Sequence, residues 1–332
     1  MRHRPAFQRQ HGFTLVELMV AMVIGLLLLS ALVALYANTS QSNIELDKSV
    51  RQIENGRHGM DLLHEDIVSA GYYGDLSTTD MAFSVPDACA LAAANLGWDS
   101  ATSTIPAAVT GLDATETASL TCLDNHRSGT PALVLRRVET ERVAAASIND
   151  GSPYLQTSRC ENDPSTTRFI VGTAAASFTL RTLDCATANQ VQRYLTRIYY
   201  VSNCNECGLD TIPTLKRAEL RAGAIVQAPL AEGIEDLAFE FGFDTDSDGA
   251  ADTFRTSLSG TAGAADNDWG NVVGVRTRML SATVEPTPGF TSSRTFDMGL
   301  LGPRGPFTDN LKRRVYAMTG RVNNVAGPRE QP

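Results

Sequence analysis

The chain has 332 residues, of which 28 are Lys or Arg and 37 are Asp or Glu, for a formal net charge of −9. An acidic balance of this size argues against steering toward nucleic acid or anionic lipid. The 295 residues beyond position 37 suffice for one large domain or two small ones.

The first predicted element is a membrane span. Phe13 to Tyr36 is a run of 24 mostly apolar residues whose one charge is Glu17. Its Leu15–Tyr36 portion, at about 1.5 Å per residue, matches the roughly 30 Å of a bilayer's hydrocarbon core. Arg2, Arg4 and Arg9 precede it with no acid, so the positive-inside bias keeps the N-terminal stub in the cytoplasm and sends everything after Tyr36 outward. No A-x-A-like site closes the run, and Gly12 stands just before it, so any cleavage falls ahead of the helix.

Gly12-Phe13-Thr14-Leu15-Val16-Glu17 resembles the type III signal of type IV prepilins, G-F-[ST]-L-x-E. The resemblance implies cleavage between Gly12 and Phe13 by a prepilin peptidase, N-methylation of Phe13 by the same enzyme's methyltransferase activity, and an assembly role for Glu17. A buried carboxylate in a membrane helix needs a partner. The new amino group of an adjoining subunit's Phe13 would supply it. The competing reading is a single-pass anchor whose Glu17 snorkels to the cytoplasmic face. Without residues 1–12, which hold three arginines and no acid, 25 basic residues face 37 acidic ones.

Beyond Tyr36, Leu46, Val50, Ile53, Met60, Leu63 and Ile67 continue at helical spacing, predicting one helix from Phe13 to about Ala70 with an amphipathic second half. Gly25, Gly56 and Gly59 are weak points where it could bend. Gly71 and Gly74 end it. Residues 77–130, rich in Ala, Ser, Thr, Gly and Asp, read as a loop-rich insertion. Strands are expected at 132–138, 177–183, 194–201, 224–230, 236–243, 272–284 and 313–322. In DLAFEFGF, Leu237, Phe239, Phe241 and Phe243 alternate with smaller or polar residues, predicting one buried and one wet sheet face. The fold class is α+β: a long N-terminal helix whose apolar stripe packs on an antiparallel sheet.

The similarity to pilins extends past the signal. ENGRHGMDLLHEDIVSAGYYGD resembles the helix end of PilW-type minor pilins, with Gly56, Arg57, Leu62, Asp66, Ile67, Ala70, Gly71 and Tyr72 in the pattern. The segments VRTRML and KRRVYAMTGRVNN resemble that family's closing strands, while 77–230 shows no matching motif. Asp75 stands where many relatives have a cysteine. The resulting organisation is a leader at 1–12, a membrane-spanning half-helix at 13–36, an amphipathic half at 37–71 and a pilin-like globular domain at 72–332.

Cys89, Cys122, Cys160, Cys185, Cys204 and Cys207 all lie on the outward side, where disulfides persist, so three bridges are expected in one of 15 connectivities. Cys204-x-x-Cys207 reads as a tight structural disulfide, with a zinc site or a redox pair as sharper alternatives. The histidines His58, His64 and His126 show no ligand spacing. In FDTDSDGAADTF, Asp244, Asp246, Asp248, the Ala250 position and Asp252 fit a Ca²⁺ loop that turns at Gly249. Position 12 is Arg255 in place of the EF-hand glutamate, and the alternative is an acidic solvated turn. No G-x-S-x-G, P-loop or dinucleotide fingerprint occurs, His64-Glu65 lacks a closing histidine, and the dyads Arg136-Arg137 and Arg313-Arg314 read as exposed strand charges.

The resemblance implies a non-enzymatic minor pilin, anchored in the inner membrane with its domain in the periplasm and later incorporated in the pilus. The resemblance further implies that it primes assembly with other minor pilins and the major pilin, sits at the tip with or without a non-pilin adhesin, and supports twitching motility or adhesion. The alternatives are a large pseudopilin of type II secretion or, in a different class, a membrane-anchored adhesin or receptor.

Overall fold

The computed structural model describes residues 12–163, 167–257 and 266–330. The leader's Arg2, Arg4 and Arg9 lie outside the described residues. The chain divides into two compact units, residues 1–50 and 51–332.

In the first unit the chain enters the long helix Leu15–Ser69, which runs without interruption past Gly25. It is the one helix among the described residues long and apolar enough to cross a membrane, and none of its apolar window is buried.

In the second unit, Met60, Leu63, Ile67 and Ala70 join one core with residues of two sheets, among them Leu135, Tyr199, Leu215, Phe239, Phe241, Val275 and Met279. Gly56 and Gly59 serve this packing and leave the helix continuous. A Cβ on Gly56 would sit 2.3 Å from the Tyr316 ring, and one on Gly59 would sit 3.2 Å from Leu215. The helix ends as expected, with Gly71 at φ +77° and Gly74 at φ +67°. Its last carbonyls, of Ser69 and Ala70, accept from Asn324 Nδ2.

The larger sheet is antiparallel and contains Val109–Leu112, Ala132–Val138, Val191–Ser202, Tyr154–Thr157 and Phe169–Gly172, with Thr214–Arg221 added on Val191–Ser202 and Ala224–Glu232 on Thr214–Arg221. The smaller runs Thr253–Arg255, Ile234–Phe243, Val272–Ala282, Arg313–Arg321, also antiparallel. The α+β expectation holds.

Three local expectations fail. Residues 177–183 form no strand: after the 3₁₀ turn Ala175–Ser177 they contribute one isolated bridge, and the Leu180 N–H donates to the Gln156 side chain in place of a ladder partner. The insertion at 77–130 is mostly loop, with short strands Ala82–Ser84, Thr104–Pro106 and Val109–Leu112 and a helix, Ala114–Ser119, started by an Asp113–Glu116 capping box. The second face of Ile234–Phe243 is dry, because the 296–304 segment covers it: Met298 is fully buried, Arg304 pairs with Asp236 at 2.7 Å and the Leu300 N–H donates to Glu240. Of the arginine dyads, only Arg314 is exposed on its strand. Arg136 is 1% exposed and donates to the Ala107 and Pro86 carbonyls and to Thr110 Oγ1. Arg137 pairs with Asp66, and Arg313 with Glu235 and Asp309.

The disulfides are Cys89–Cys122, Cys160–Cys185 and Cys204–Cys207. On a loop-entropy estimate, the first two constrain the unfolded chain by roughly 3.5 kcal/mol each and the third by about 1.6.

Candidate functional site

At the N-terminal junction Gly12, Phe13 and Thr14 are non-helical, Phe13 is 91% exposed and no atom would crowd a Cβ on Gly12. A peptidase needs an accessible, unwound bond, and the Gly12–Phe13 peptide is one. The helix begins immediately behind it. Thr14 is its N-cap: its carbonyl accepts from the Leu18 N–H, and its Oγ1 accepts from the Glu17 N–H at 3.3 Å. Glu17 Oε2 reaches back to accept from the Thr14 N–H and hydroxyl, both at 2.9 Å. This reciprocal capping box was missed in the sequence, although T-x-x-E in TLVE spells it. Glu17 therefore has a local partner in the single subunit.

At the other end of the helix, Asp66 is buried in the last turn, where the helix dipole disfavours a carboxylate. Arg197 Nη1 donates to its two oxygens at 2.7 and 2.8 Å, Arg137 Nη2 donates at 3.2 Å and the Tyr199 hydroxyl donates as well. Burial pushes the Asp66 carboxyl up, but Arg197, Tyr199 and Arg137 outweigh it and hold it below the usual value. Arg197 extends the network through Nε to Glu219 at 2.6 Å, which Arg221 and Arg217 also approach. His64 and Glu65 are exposed, as expected.

The acidic loop joins strands Ile234–Phe243 and Thr253–Arg255. Carboxylate oxygens of Asp244, Asp246 and Asp252 lie within 4.8 Å of one another. Asp248 lies outside that group, and its Oδ1 accepts from the Ala250 N–H at 2.7 Å. The reading of the sequence did not foresee Arg329, which donates to Asp244 Oδ2 at 3.0 Å and also to Gly270 O and Asn271 Oδ1. Asp244 further accepts from the Ser247 and Gly249 N–H groups. Burial raises its carboxyl, and Arg329 with these amides brings it below the usual value. Partial desolvation and the neighbouring carboxylates of Asp248, Asp252 and Asp244 push Asp246 up. Gly249 is required at φ +83°, where a Cβ would stand 2.8 Å from the Ala326 carbonyl.

Comparison with known families gives two matches. The prokaryotic N-terminal methylation motif covers residues 7–33, and Type IV Pilus-assembly protein W covers residues 198–324. Residues 198–324 are similar to the PilW family. The match reaches back into a region where no motif was expected, and includes Tyr199, Cys204, Cys207, the acidic loop and the capping Asn324. Asp66 lies before the matched region, so the network ties the long helix to the first strand of that region. Among solved structures, a type IV-like pilin from Thermus thermophilus is similar, at 10% identity and a TM-score of 0.39 over 83% of this chain and 97% of that one. None of the curated proteins matches.

Proposed function

We propose that the chain is a minor type IV pilin, a non-enzymatic subunit cut between Gly12 and Phe13, methylated on Phe13 and built into a pilus with the major pilin and other minor pilins, where it primes assembly and sits at the tip. The observation that carries this reading is the methylation motif placed on an accessible, unwound peptide directly before a capped, membrane-length helix, with a PilW domain behind it. Its domain faces the periplasm before assembly and the cell surface afterwards. The match to Type IV Pilus-assembly protein W favours filament assembly over a free-standing receptor. Intact mass of the protein from its host tests the proposal. The expected mature chain starts at Phe13 and carries one added methyl group, and a chain retaining Met1 or cut beyond Tyr36 would overturn it.

The acidic loop is proposed to bind Ca²⁺ through Asp244, Asp246 and Asp252, with Arg329 as the internal cation it must displace from Asp244. A ligand that binds the folded state alone stabilises it by RT ln(1 + [L]/Kd), about 1.4 kcal/mol at tenfold excess over Kd. The protein is expected to melt higher in millimolar calcium than in chelator. Asp246→Ala with Asp252→Ala is expected to remove the difference, and Arg329→Gln to enlarge it. Equal melting in calcium and chelator for both wild type and Arg329→Gln would leave an acidic turn.

A further inference from the structure

The Cys204–Cys207 bridge differs from the other two in what surrounds it. Cys204 is 5% exposed, whereas Cys207 is open to solvent beside Leu209, itself 84% exposed. The ammonium of Lys216, a residue only 6% exposed in strand Thr214–Arg221, donates to Cys207 Sγ at 3.2 Å. The Ser202 hydroxyl lies 3.6 Å from Cys204 Sγ. Asp210 is the carboxylate whose charge interacts with Lys216, but its oxygens are taken up by the N–H groups of Asn205, Glu206 and Ile212. Those bonds, with the Leu209 and Asp210 amides donating to the Glu206 carbonyl, brace the loop in addition to the S–S bond. The two cysteines are separated by three positions in the sequence, so this bridge constrains the unfolded chain least of the three.

A buried cation against an exposed sulfur stabilises a thiolate more than a disulfide, and so favours the reduced form. We propose that Cys204–Cys207 is a thiol–disulfide exchange site that takes protein dithiols and disulfides as its partners, with Cys207 as the attacking and attacked sulfur and Cys204 as the resolving one. In the reducing direction a partner thiolate attacks Cys207 Sγ, the S–S bond breaks and its electron pair leaves on Cys204 Sγ, next to the Ser202 hydroxyl. The partner's second thiolate then attacks its own sulfur in the mixed disulfide and releases Cys207 as a thiolate beside Lys216. Two electrons pass from the partner, which leaves as a disulfide. Cys204 takes up one of the partner's two thiol protons and solvent the other. The reverse sequence oxidises the pair.

The test is equilibration of the full-length protein in detergent with graded ratios of reduced to oxidised dithiothreitol, followed by alkylation and mass spectrometry of all three cysteine pairs. Cys204–Cys207 is expected to open at ratios that leave Cys89–Cys122 and Cys160–Cys185 closed. Lys216→Met is expected to shift its midpoint about tenfold toward more reducing ratios, and Lys216→Arg to keep it near wild type. With glutathione disulfide as the probe, Cys204→Ser should form a mixed disulfide at Cys207 at least about ten times faster than Cys207→Ser forms one at Cys204. Joint reduction of the three pairs in wild type, which needs no variant to fold, would overturn the proposal. Equal labelling of the two serine variants would overturn the assigned roles.

Discussion

Asp66→Ala is expected to lower the melting temperature of the protein by roughly 5–9 °C, the equivalent of about 3–5 kcal/mol for removing one partner of a buried ionic cluster in a unit of this size. The loss is large because the substitution leaves Arg197 and Arg137 charged, and the Tyr199 hydroxyl without its acceptor, in a region that solvent barely reaches. Asp66→Asn should recover little, since its amide nitrogen sets a donor against the Arg197 donors. The pH dependence follows from the depressed carboxyl. A group whose folded value lies below its unfolded 3.8 contributes stability that is complete above 3.8 and disappears as pH falls through the lowered value. Denaturant midpoints measured from neutral pH down into the acid range should therefore converge for wild type and Asp66→Ala at the acid end. A difference under about 1 kcal/mol at neutral pH would mean that the network only decorates a fold held by apolar packing.

What could be read in the sequence divides by the range of the interaction. The long helix was legible to within about two residues at each end, because apolar periodicity and a Gly71 stop are local signals. Strand Ile234–Phe243 was legible as a strand but not as a dry one, since the segment covering its polar face comes about 60 residues later, as in the bond from Leu300 to Glu240. Strand Thr214–Arg221 was invisible because half its residues are charged, and only the fold brings Arg197 to Glu219 and Cys207 to Lys216. At the sites, the acidic turn announced itself through Asp and Gly spacing. Its counter-ion did not, because Arg329 lies 85 residues from Asp244. Asp66 appeared only as one position in a family pattern, and its partners stand 71, 131 and 133 residues away. The capping function of Glu17 was local and readable, yet the prepilin signal offered a second explanation for the same residue.

Those two explanations predict different outcomes for one substitution. Glu17→Gln keeps an acceptor that can reach the Thr14 N–H and hydroxyl, so the helix start survives, but it removes the charge that would pair with the amino group of a neighbouring Phe13. Glu17→Ala removes both. A capping contact is worth about 1 kcal/mol, whereas an unpaired ammonium placed in a membrane helix bundle costs several times more. If pairing is the role of Glu17, both variants should insert in the membrane as well as wild type, or better, and both should fall at least about tenfold in the ratio of filament-bound to membrane-bound subunit. Thr14→Val supplies the converse case, losing the hydroxyl's two bonds with Glu17 while leaving the carboxylate charged. It should assemble close to normally. The measurement is quantitative immunoblotting of sheared filaments against the membrane fraction. Assembly of Glu17→Gln at the wild-type level, with Glu17→Ala impaired, would assign Glu17 to starting the helix and remove the ion pair from the account of assembly.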